Sequence, residues 1–98
     1  MAQFDVFRSR DGSFVIDCQS ELLRHLESRF VVPLMPLDRA PKPAGRLNPL
    51  FQIEGRELSM MTQFAGSIDS DELGAFVCSL PERRYEITGA LDMLIGGV

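Results

Sequence analysis

Apolar and polar residues alternate at the start of the chain, where Phe4-Asp5-Val6 has the period of a half-buried strand. Asp11-Gly12 is a tight-turn dipeptide, and Phe14-Val15-Ile16-Asp17-Cys18 follows as a β-branched and aromatic run. The two segments are expected to pair as a hairpin. Residues 19–28 are polar and loop-like, interrupted by Leu22 and Leu23. Phe30-Val31-Val32 reads as a third strand, stopped by Pro33.

From residue 33 to 49 the pattern breaks. Five of the six prolines fall there, at 33, 36, 41, 43 and 49, with Asp38, Arg39, Lys42 and Arg46 between them. Proline lacks an amide donor and disfavours the helical region for its predecessor, so a long irregular connection is expected, with 35–46 as a mobile loop. Leu50-Phe51-Gln52-Ile53, a Glu54-Gly55 turn and residues 58–62 make a second hairpin. Adjacent residues on a strand face opposite sides, so Met60 and Met61 point apart. Over 65–80, the capping residues Ser67, Asp69 and Ser70, with Leu73, Phe76, Val77 and Leu80 at helical spacing, suggest a short helix or turn.

The clearest helix is the last segment, 81–98. Pro81 suits a first-turn position, and Glu82 lies near the positive end of the helix dipole. Ile87, Ala90, Leu91, Leu94 and Val98 share one face, while Gly89, Asp92, Met93 and Gly96 lie opposite. Gly89 costs about 1 kcal/mol against alanine in a helix interior. Close approach of another chain would account for it, and so would simple tolerance.

With 98 residues the chain is a single domain, 1–98. A domain of this size buries only about 60–65% of the surface its unfolded chain exposes. Its hydrophobic fraction of 45% excludes a disordered chain, and a marginal core of this kind favours a homodimer. The net charge of −4, from 14 acidic and 10 basic residues, argues against direct binding to nucleic acid or to an anionic membrane. The start of the chain lacks the charged and apolar regions of a signal peptide, and no apolar run approaches a membrane span. Cys18 and Cys78 are too few for a disulfide scaffold and read as two buried thiols in a cytoplasmic protein.

Candidate chemistry is sparse. A lone histidine, His25, cannot build a zinc site with the ligands available, and a Cys18–His25 pair would join the end of an apolar strand to a charged loop. Asp69-Ser70-Asp71-Glu72-Leu73-Gly74 opens like a calcium loop but has Leu73 and Leu80 where oxygen ligands belong. Neither a phosphate loop nor a nucleophile elbow occurs. The chain thus points to action by binding other proteins, with no enzymatic activity, metal or cofactor.

Several short signatures resemble the CcdB family, the toxin half of a bacterial toxin–antitoxin pair. They run in order: Gln3-Phe4-x-Val6, Val15-x-Asp17-x-Gln19-Ser20, Arg29-x-Val31-x-Pro33-Leu34, Leu47-x-Pro49, Ile53, Met60-Met61-Thr62, and a terminal helix ending in Gly97-Val98. The resemblance implies a mainly β fold with a C-terminal α-helix, an SH3-like barrel plus a small extra sheet, assembled as a two-fold dimer. It implies a toxin that binds the A subunit of DNA gyrase and traps the enzyme on cleaved DNA. A cognate CcdA-like antitoxin would neutralise it through a disordered tail that folds on the toxin. The family's gyrase-contacting positions carry over to Leu22, Leu23, Asp92, Ile95, Gly96, Gly97 and Val98. Family members place a tryptophan at the position of Gly96, as the anchor against a gyrase arginine, and a neutral amide at the position of Asp92. The alternative is a homologue with weak or no gyrase poisoning, or with a different protein target.

Overall fold

Local turn chemistry sets the two hairpins. In the computed structural model, which describes residues 2–97, Gly12 has φ 88° and Asp11 accepts hydrogen bonds from the Ser13 amide and hydroxyl at 2.9 and 2.6 Å. This turn joins β1 (Asp5–Ser9) to β2 (Phe14–Asp17) in the register Val6 to Ile16 and Phe7 to Val15. Glu54 and Gly55 both have positive φ, 53° and 75°, the backbone of a hairpin turn whose twist matches its strands. It joins β4 (Leu50–Ile53) to β5 (Arg56–Met60).

β3 (Ser28–Pro36) runs through Pro33 instead of stopping there. One edge of β3 pairs with β2. The other pairs first with β6 (Gly66–Asp69) through residues 28–31 and then with β5 through residues 34–36. Pro33 lies at the switch between those partners. Its carbonyl accepts from Met61 N–H at 2.9 Å, so its missing donor faces the same edge, where no continuous ladder requires it. Met35 and Pro36 are accordingly strand residues, and the irregular segment begins only at Leu37.

Residues 65–80 are a strand, a 3-10 turn and a strand, not a helix. β6 leads through the 3-10 turn Ser70–Glu72 into β7 (Leu73–Ser79), which pairs with the free edge of β1. Register shifts between Val6 and Phe7, and again between Phe7 and Ser9, break the period of two. At the bulge Gly74 passes so close to β1 that a Cβ would lie 2.1 Å from the Arg8 carbonyl oxygen.

The strands form one antiparallel half-barrel sheet in the order β4-β5-β3-β2-β1-β7, an SH3-like arrangement. β6 lies off that path beside the first half of β3 but is hydrogen-bonded into the same seven-stranded sheet, so the separate small sheet expected from the sequence is not formed. Val6, Ile16, Val32, Leu34, Leu58 and Met60 fill the inner face, and Phe7, Val15 and Val31 form a second cluster beneath Ile68 and Leu73. Met60 and Met61 are both buried. Pro81–Arg83 forms a 3-10 turn, and α1 (Arg84–Gly96) follows it across the core. Ile87 and Ala90 are fully buried there and Leu91 is partly so, but Leu94 is 43% exposed. The apolar stripe is therefore covered only along the first half of the helix; Val98 lies outside the described residues.

Candidate protein-binding surface

The loop that carries Leu22 and Leu23 is built on buried polar groups. Asp17, the last residue of β2, accepts from Arg29 Nε at 2.8 Å, and Arg29 Nη2 approaches the same oxygen to 2.7 Å. Both side chains are fully buried. Nε makes the directed hydrogen bond; Nη2 is in charge contact with the carboxylate, without a well-aligned hydrogen bond of its own. Burial pushes the Asp17 carboxyl up, and the Gln19 amide and Arg29 oppose that shift. The other Asp17 oxygen accepts from Gln19 N–H at 3.0 Å. Beyond this pair, Ser20 caps the 3-10 turn Glu21–Leu23 by accepting from Leu22 N–H at 3.2 Å. Gln3 donates from its side chain to the Cys18 carbonyl and from its backbone to Glu21. On this frame Leu22 stands 86% exposed, with Leu23 and Leu26 roughly half exposed beside it.

The second group occupies the end of α1. Gly97 adopts a left-handed conformation with φ 73° and donates to the Met93 carbonyl at 3.0 Å, which caps the helix. Asp92, Ile95, Gly96 and Gly97 are all exposed, Ile95 by 82%. The helix is seated by the 3-10 turns Gly45–Leu47 and Thr62–Phe64. Those turns are locked by Asn48, which donates to the Met60 carbonyl and to Gln63 and accepts from Ala44 N–H, and by Thr62, which donates to the Leu47 carbonyl at 2.6 Å. Between the first turn and the outer face of the helix lies an open groove of about 540 Å³, lined by Gly45, Arg46, Pro49, Tyr85, Glu86 and Gly89. Apart from its chain neighbours and the helix's own backbone, no atom of the described residues comes within 4 Å of where a Gly89 Cβ would sit. Each group of candidate residues thus has its own mount, one at the end of β2 and the other at the end of α1.

The sequence model described as CcdB protein matches residues 3–97. The chain belongs to the CcdB family. No curated protein sequence matches it significantly. Among solved structures it is similar to an endoribonuclease from Mycobacterial species, with a TM-score of 0.80 and 15% identity over 98% of this chain and 91% of that one. At that identity the likeness is one of fold. CcdB membership makes the chain a toxin of a toxin–antitoxin system.

Other features of this CcdB-family chain were hidden in its sequence. Leu26, Phe64 and Tyr85 are exposed apolar side chains that the pattern did not mark as surface, although Leu26 lies within one turn of Leu22 and Leu23. Cys18 is buried and its thiol is pushed up to about 12 by burial, whereas Cys78 is only partly buried. His25 lies in the exposed loop. Among the described residues no group of three His, Cys, Asp or Glu could hold a metal ion, and no helix is long and apolar enough to cross a membrane.

Proposed function

We propose that this protein binds the A subunit of DNA gyrase through the Leu22–Leu23 turn and the end of α1, trapping the gyrase–DNA cleavage complex. A cognate CcdA-like antitoxin neutralises it by folding a disordered tail onto it. The match to the CcdB family over residues 3–97 carries this reading. Physical support comes from the exposure of Leu22 and Ile95, which are large apolar side chains held in solvent on ordered mounts. A two-fold homodimer in the cytoplasm completes the proposal, since pairing two copies doubles the sites and covers apolar surface that a small domain leaves exposed. Light scattering on a sizing column tests the dimer; a mass of about 11.0 kDa throughout the micromolar range would exclude it.

Gly96 and Asp92 favour a second reading within the same family. The last turn of α1 offers an exposed glycine and an exposed carboxylate, so it lacks an aromatic anchor there. A weak gyrase poison, or a toxin with another protein target, follows from that surface. Induced expression in cells with normal gyrase, and with gyrase resistant to CcdB-type toxins, separates the readings. Killing of the first strain alone supports gyrase; equal killing of both directs the search to another target.

A further inference from the structure

We infer that Gln19 is the positioning residue of the Leu22–Leu23 turn, an inference that rests on the gyrase-binding reading above. Gln19 is only 7% exposed, and its side-chain amide makes one donated and one accepted hydrogen bond, both within the loop and its frame. The Nε2 group donates to the Leu23 carbonyl at 2.9 Å. The Oε1 atom accepts from Phe30 N–H at 2.8 Å, on β3. The backbone N–H of Gln19 donates to Asp17 at 3.0 Å, which ties the same residue to the buried Asp17–Arg29 pair. One amide group therefore bridges the departing and returning legs of the loop. It sets the height of the 3-10 turn above the sheet and with it the direction of Leu22.

The bridge needs a donor and an acceptor on one side chain of this length. A glutamate would still accept from Phe30 but, ionised, would present a second acceptor to the Leu23 carbonyl. Methionine would fill the same volume and make neither bond. Both substitutions remove the bond to the Leu23 carbonyl, but neither changes the side chains of Leu22 and Leu23 or any residue of α1. Their effect on target binding therefore passes through the loop alone.

The test combines calorimetric binding of a gyrase A-subunit fragment with amide hydrogen exchange of the free protein. Gln19→Glu is expected to speed exchange across residues 21–26, leave α1 amides unchanged and weaken binding about fivefold to tenfold. Leu22→Ala alone is expected to weaken binding, and Gln19→Glu added to it to cause little further loss, because the glutamine acts through that side chain. Combined with Ile95→Ala, on the other mount, the loss from Gln19→Glu should appear in full. If Gln19→Glu does not fold, Gln19→Met makes the same comparison. Full additivity with Leu22→Ala, or unchanged loop exchange, overturns the positioning role while leaving the gyrase reading intact. An inert Leu22→Ala, or no binding by the wild-type protein, overturns the gyrase reading and this inference with it.

Discussion

Burying an arginine is costly unless its charge is met, and Arg29 is buried in an ion pair with Asp17. Removing one member of such a pair strands the other in the interior. Arg29→Met is therefore expected to lose about 3–5 kcal/mol of stability in urea unfolding. Asp17→Asn placed on that background should recover part of the loss, because the asparagine carbonyl still accepts from Gln19 N–H and no charge is left unpaired. Cys18 makes a second test at this scale. Its thiol ionises near 9.0 when unfolded but is held to about 12 by burial in the fold. The folded state then keeps a proton that the unfolded state gives up, so stability falls as pH rises through that interval, by at most about 1.4 kcal/mol per unit. The unfolding midpoint of the wild-type protein should drop more steeply between pH 9 and 10.5 than that of Cys18→Val. In the native protein at pH 8, thiol reagents should label Cys78 ahead of Cys18.

Among the elements, those governed by neighbours in sequence were the legible ones. Both hairpins announce themselves through Asp11-Gly12 and Glu54-Gly55, where a dipeptide fixes the turn and the turn fixes the register. Pro81 marks the 3-10 turn that leads into the terminal helix, although the α-helix itself begins three residues later, at Arg84. β7 was not legible. Its bulges place apolar residues at a spacing that imitates a helix, and its partner β1 lies about 70 residues earlier in the chain. Pro33 misled for a related reason, since only the sheet reveals that its missing amide meets a change of partner. The proline-rich segment supplies the prediction at this scale. Leu37 N–H is held by the Glu57 carbonyl, and the Gly45–Leu47 turn is clamped by Asn48 and Thr62. Between those anchors residues 38–43 have few ties to the sheet. Limited trypsin digestion should cut first after the exposed Arg39, with Arg46 following only later. Primary cleavage at Arg46 or Arg56 would show that the clamps, and not the prolines, yield first.

At the scale of the whole molecule, exposed leucines in a polar loop and a short terminal apolar face were visible as sequence patterns. The buried amide that holds them was not, because nothing in a sequence marks Gln19 as buried until β3 returns beside it. The same limit applies to Gly96. Its place as the final residue of α1, directly before the Gly97 cap, makes the helix end bare on its exposed side. A buried aromatic anchor at the centre of an interface contributes about 2 kcal/mol or more, and stacking on an arginine accounts for about 0.5–2 kcal/mol of such an anchor. About 2 kcal/mol corresponds to roughly 30-fold in affinity, at about 1.4 kcal/mol per factor of ten. Glycine also leaves the last turn looser, so ordering it on binding costs more than it would for a residue with a side chain. Gly96→Trp is thus expected to strengthen binding of a gyrase A-subunit fragment at least tenfold. Its stability should be unchanged or slightly raised, since position 96 is exposed and tryptophan is the better helix former. Calorimetry on the two proteins decides the matter. Nanomolar binding by the wild-type chain, or no gain from the tryptophan, would mean that the grip comes from elsewhere on the surface, with Leu22, Leu26 and Tyr85 the next side chains to replace.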